Sequence, residues 1–114
     1  MKVSYEGIGQ WAATFACSQT AEGQMVKVSG SGVVSGCAAG DSFCGQVLSV
    51  GRDGIACAVA LGGMVTAGYT GTAPAVGWSG LSANGQGGVQ ADAAGRTYLV
   101  VDVDESGGTV TFAL

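Results

Sequence analysis

Asp102, Asp104 and Glu105 form the only acidic cluster in the chain. Two apart on an extended segment, Asp102 and Asp104 fall on one face and could offer carboxylate oxygens to Ca²⁺ or Mg²⁺. The Asp/Asn-Gly ladder of a calcium loop is missing, so the cluster reads as a solvated strand end whose charges discourage edge pairing. The 114 residues include no histidine, which removes Ser-His and Cys-His nucleophile pairs. A Ser-Lys dyad would have to use Lys27, the only lysine besides Lys2. Gly30-Ser31-Gly32 and Gly85-Gln86-Gly87-Gly88 lack the helix and the Lys-Ser/Thr of a phosphate loop, and read as turns. Neither a cofactor nor a metal nor enzymatic activity is expected.

The four cysteines, Cys17, Cys37, Cys44 and Cys57, show no C-x2-C spacing and have no histidine to complete a zinc set. Met1-Lys2-Val3-Ser4-Tyr5-Glu6 does not open the apolar run of a signal peptide. Free thiols in a reducing cytoplasm are therefore expected.

Composition narrows the partners. Net charge is −4, and the four basic side chains, Lys2, Lys27, Arg52 and Arg96, are scattered. Nucleic acid and anionic membranes both need clustered cations, so neither is an expected partner. No apolar run approaches the ~20 residues that span a bilayer as a helix. Charged residues are 11% of the chain, against about 25% in an ordinary soluble domain. With 22 glycines that add nothing to a core, the chain gains by resting against other protein, its own copies included.

Ala38 to Val65 is the stretch around which the elements are organised. Phe43 to Val50 and Ile55 to Leu61 flank Gly51-Arg52-Asp53-Gly54, a hairpin signal, and Met64 opens a third strand after Gly62-Gly63. Met25 to Ser29 alternates and is answered by Val33-Val34-Ser35. Thr97 to Val103 and Thr109 to Leu114 end the chain, and Trp78 to Ala83 is a further extended segment. Ala93-Ala94-Gly95-Arg96-Thr97-Tyr98 echoes Ala38-Ala39-Gly40-Asp41-Ser42-Phe43, so two strands share a similar lead-in. About eight short strands with dense turns and no helical period predict an all-β, Gly-rich barrel or sandwich. The expected core holds Val47 or Leu48, Val59, Leu99, Val101 and Phe112. Residues 24–114 read as one barrel domain, built on Phe43 to Thr70 and closed by Thr97 to Leu114.

Residues 1–23 read as an N-terminal arm with a short strand. Its apolar side chains, Val3, Tyr5, Ile8, Trp11 and Phe15, are too many for a solvated tail and fit no single period. Tyr5, Ile8, Trp11 and Phe15 are candidate partner-binding residues, together with Trp78, which stands in a Gly/Ser/Pro loop. Trp11, Tyr69 and Trp78 could alternatively form a platform for stacking a sugar.

Three stretches carry a resemblance: SYEGIG (Ser4 to Gly9); GDSFCGQV (Gly40 to Val47) with YTGTAPAVGWSGLSANGQGGV (Tyr69 to Val89); and TYLVVDVDESGGTVTFAL (Thr97 to Leu114). Together they resemble small capsid decoration (cement) proteins from the head genes of tailed bacteriophages and prophages. The resemblance implies an all-β virion protein, made in the bacterial host cytoplasm, that binds the major capsid protein on the outside of an icosahedral shell, often as a homotrimer. It brings no catalytic residues. A carbohydrate-binding β-module and a tail or connector component are the alternatives.

Overall fold

A computed structural model describes residues 11–114. The described residues form ten strands and no helix: β1 (Trp11–Ala16), β2 (Met25–Gly30), β3 (Val33–Gly36), β4 (Gly45–Val50), β5 (Ala56–Gly62), β6 (Met64–Thr70), β7 (Gly77–Ala83), β8 (Val89–Ala91), β9 (Arg96–Asp104) and β10 (Thr109–Ala113). The fold is all-β, with ten strands among the described residues where about eight were expected. They close two barrels, in the orders β1-β3-β2-β4-β5 and β10-β6-β8-β7-β9.

This divides the expected meander. The consecutive strands β5 and β6 lie in different barrels, so the sheet predicted around Ala38 to Val65 is cut at Gly62-Gly63. Gly63 makes the switch at φ 93°, a conformation a Cβ would penalise.

The barrels share one topology. β1 pairs with β3 in parallel, as β6 does with β8, and every other neighbouring pair is antiparallel. Registers correspond residue by residue: Val47, Val59 and Ala13 form one rung across β4, β5 and β1, and Val100, Phe112 and Val65 form its counterpart across β9, β10 and β6. Even the β-bulge recurs. Leu48 is skipped between Val47 and Ser49, and Val101 between Val100 and Asp102. A closing backbone bond is also repeated, Cys17 N to Ile55 O and Tyr69 N to Gly108 O, each 3.0 Å.

The first core holds Cys17, Val26, Val34, Val47, Cys57 and Val59, with Phe15, Cys44, Val50 and Leu61 packed at its margin. The second is larger, and the first half of the chain contributes Met25, Phe43 and Ala60 to it. The two similar lead-ins, Ala38 to Phe43 and Ala93 to Tyr98, do precede corresponding strands, β4 and β9. They are out of step, however: Gly45, not Phe43, is the register equivalent of Tyr98. Phe43 leaves its own barrel and stacks on Tyr98, centroids 5.1 Å apart and planes 13° from parallel. Phe112 closes the cluster at 5.9 Å from Phe43 and 5.3 Å from Tyr98.

Val47, Val59 and Phe112 are buried as expected, and Val47 rather than Leu48 takes the inward place in β4. Leu99 and Val101 are corrected. Both are only half-buried, and the inward residues of β9 are Tyr98 and Val100. Pairing of Val100 with Phe112 sets that parity, which a strand apolar on both faces does not announce by itself.

The division at residue 23 also changes. β1 pairs along its length with β5, from Trp11 opposite Gly62 to Ala16 opposite Ala56, and closes the first barrel. Residues 11–16 therefore belong to the barrel and not to an arm.

One ion pair ties β2 to the lead-in of β4. Lys27 Nζ donates to Asp41 Oδ2 at 2.6 Å, and the same oxygen accepts from Ala38 N at 2.9 Å. The Lys27 hydrogen bond, then the Ala38 one, hold the Asp41 carboxyl below the usual carboxylate range. Asp104 is lowered likewise, by Gly107 N and then Ser106 Oγ. A depressed folded pKa stabilises fully above the unfolded value, about 3.9, and that contribution is lost as pH falls through the folded value. The urea midpoint is thus expected to be flat near neutrality and to fall below about pH 4. Asp41→Asn should flatten part of that fall; a variant with an unchanged acid limb would remove Asp41 from the effect.

Candidate functional site

Trp78 is the most exposed large apolar side chain described, at 74%. It lies on β7, where Leu81 and Ala83 point inward, so alternation sends Trp78 outward. Register then fixes its neighbours. Trp78 pairs with Leu99, Leu99 with Ala113, and Ala113 with Met64. Cross-strand partners share a face, so these four form one apolar rung across the outside of the second barrel. Val76, 69% exposed, precedes Trp78 at the loop.

Trp11 is 59% exposed and occupies a different seat. Its indole lies directly on Gly62, where any Cβ would collide with the ring. Gly62 directly precedes the turn residue Gly63 and then Met64, so Trp11 stands where the chain passes from one barrel to the other.

The remaining candidates separate from these two. Phe15 is half-buried and packs against the first core, because its partner Cys57 points inward. Phe15 therefore has part of its ring on the margin of the first core. Tyr5 and Ile8 lie outside the described residues. Tyr69 joins neither tryptophan: with Glu22, Gln24, Asn84, Gln86 and glycine backbone it lines an open cleft of about 590 Å³ between the barrels. Much of its polar lining is already engaged. Asn84 Oδ1 accepts from Gln86 N and Gly88 N, and Gln24 Oε1 accepts from Ala21 N.

Asp104, of the acidic cluster, is likewise occupied with structure. Asp104 Oδ1 accepts from Ser106 Oγ and Gly107 N, which caps the β9–β10 turn. The four cysteines are free thiols, with Cys17 and Cys57 buried side by side in the first core. Burial, then the Cys17 thiol, pushes Cys57 up to about 11, so it is a packing group with little thiolate at neutral pH.

No family model and no curated protein matches the chain.

Leu99, Ala113 and Met64 were not singled out by sequence reasoning as surface residues. The available signal was Thr97 to Val103 itself, apolar on both faces: a strand with one face in a core and the other still apolar announces a second contact.

Proposed function

We propose that the protein is a virion structural protein, a capsid decoration protein that sits on the outer surface of an icosahedral shell and reinforces contacts between major capsid protein subunits. The observation that carries this reading is the exposed Trp11, held on β1 against Gly62, on a charge-poor body. Exposed aromatic side chains fixed on strands supply large contact area at small entropic cost, and tryptophan is enriched where binding energy concentrates. The likeness of the Tyr69 to Val89 and Thr97 to Leu114 stretches to phage decoration proteins supports the same role. Repetition over a shell lets a modest contact per subunit suffice. The proposed subunit acts by binding, with no catalytic residue and no cofactor.

The test uses shells assembled without the protein. Purified full chain should bind them saturably and raise their resistance to heat, and Trp11→Ser, which keeps the fold by circular dichroism, should weaken binding roughly tenfold or more. Failure to co-sediment with such shells at micromolar concentration would sink the reading.

A second reading has the inter-barrel cleft in its favour. Tyr69 with the Glu22 carboxylate and the Gln86 amide is a chemistry that could hold a sugar. A glycan-binding screen decides between the two, since the shell reading needs no glycan.

A further inference from the structure

We propose that the Trp78 face of the second barrel is the docking site for a second copy of this chain, joined head to tail in the way the second barrel already covers the first.

Four paired residues run across the outside of the first barrel: Met25, Gln46, Ala60 and Ala12. Met25 and Ala60 point away from their own core, whose inward residues are Val26 and Val59, yet they are 1% and 0% exposed. What buries them is the second barrel. Both belong to its apolar core, Met25 N donates to Gly87 O at 2.9 Å, and Gln46 Nε2 donates to Thr66 O at 2.8 Å.

The register correspondence carries this rung onto the second barrel. Trp78 takes the place of Met25, Leu99 that of Gln46, Ala113 that of Ala60 and Met64 that of Ala12. Among the described residues nothing covers the second rung as the second barrel covers the first, and Trp78 is 74% exposed where Met25 is buried.

The covering surface has a counterpart too. Thr66 on β6 corresponds to Thr14 on β1, and the β7–β8 turn that carries Gly87 corresponds to the β2–β3 turn. Thr14 and that turn are exposed, and so are the flanking Val28 and Val33, at 54% and 37%. Each chain therefore presents one uncovered rung and one uncovered covering face. Those two faces complement each other and not themselves, so the contact is heterologous and repeats into a ring where the rotation closes and a filament where it does not. None of Trp78, Leu99, Ala113, Met64, Thr14, Val28 or Val33 carries a charge that would oppose it.

This inference follows from the fold and does not depend on the virion reading, so its test contains no shells. The full chain is followed by sedimentation from low to high micromolar concentration, beside Trp78→Ser and Val28→Asp, both checked for native circular dichroism. Wild type should associate, and each variant should do so roughly tenfold or more weakly. Mixing the two variants should restore a dimer and nothing larger, because each retains the face that the other lacks. A wild type that stays monomeric, variants that associate like wild type, or a mixture no stronger than its parts would each overturn the proposal. The last result would mark a face that pairs with itself.

Discussion

Replacing Phe43 by alanine is expected to lower the unfolding free energy by about 3–5 kcal/mol. The ring is 4% exposed, stacks on Tyr98 and meets Phe112 at a tilt, in the core of the barrel to which β4, the strand that follows it, does not belong. Truncation removes the buried area and leaves a hole that neighbours on ten short strands have little freedom to fill. Against a typical total of about 5–15 kcal/mol, that is a large fraction. Because Phe43 joins the backbone of the first barrel to the core of the second, the loss should appear as one transition shifted to lower urea, not as two. Urea titration by far-UV circular dichroism checks this; a cost under about 1 kcal/mol would mean that the stack is not a stabilising contact.

A single methyl at Gly45 should be nearly as costly. A Cβ there would press into the carbonyl oxygen of Ala60 and lie 2.9 Å from Val59 Cγ1. The first obstacle is backbone of the neighbouring strand, so relief requires β4 and β5 to part, next to the inward pair Val47 and Val59. Gly45→Ala is expected to destabilise by about 3 kcal/mol. Gly30→Ala is the control: its Cβ would approach nothing closer than Val33 at 3.8 Å, and it should cost under about 1 kcal/mol. Thermal melts of the two variants, run side by side, distinguish close approach from a general cost of removing glycine. Equal shifts would refute the steric account.

Much of the fold was legible because strand and turn residues act locally. Asp53-Gly54 and the alternation of Ile55 to Leu61 place a strand without any knowledge of its partners, and β5 lies there. What stayed hidden depends on partners. Trp11 to Ala16 has its two large side chains four apart with small residues between, a pattern owned by no element, and it becomes a strand only because β5 offers an edge. Leu99 and Val101 were placed inside because Thr97 to Val103 is apolar on both faces, and only pairing with Phe112 chooses between them. The second barrel was hidden for a related reason. The echo between Ala38 to Phe43 and Ala93 to Tyr98 was visible, but its two copies do different work: Tyr98 stays in its barrel and Phe43 crosses to it. In the candidate site, Trp78 could be picked out from its loop and Trp11 from its excess of apolar surface. That Phe15 lies against the first core was hidden, because nothing local shows that Cys57 lies opposite it.

The lending of Met25, Phe43 and Ala60 to the second barrel makes the order of synthesis matter. A ribosome delivers the first five strands while the core that shelters those three side chains does not yet exist. Until β10 has emerged, the aromatic ring and the methionine of the early half have no complete core to enter. During that interval it is a sticky half-product, and nascent chains on neighbouring ribosomes are its nearest hazard. Slowing translation between Gly63 and Thr109 should lengthen the exposure, so the codons of the second half, as much as the residues they specify, bear on how much protein reaches the folded state.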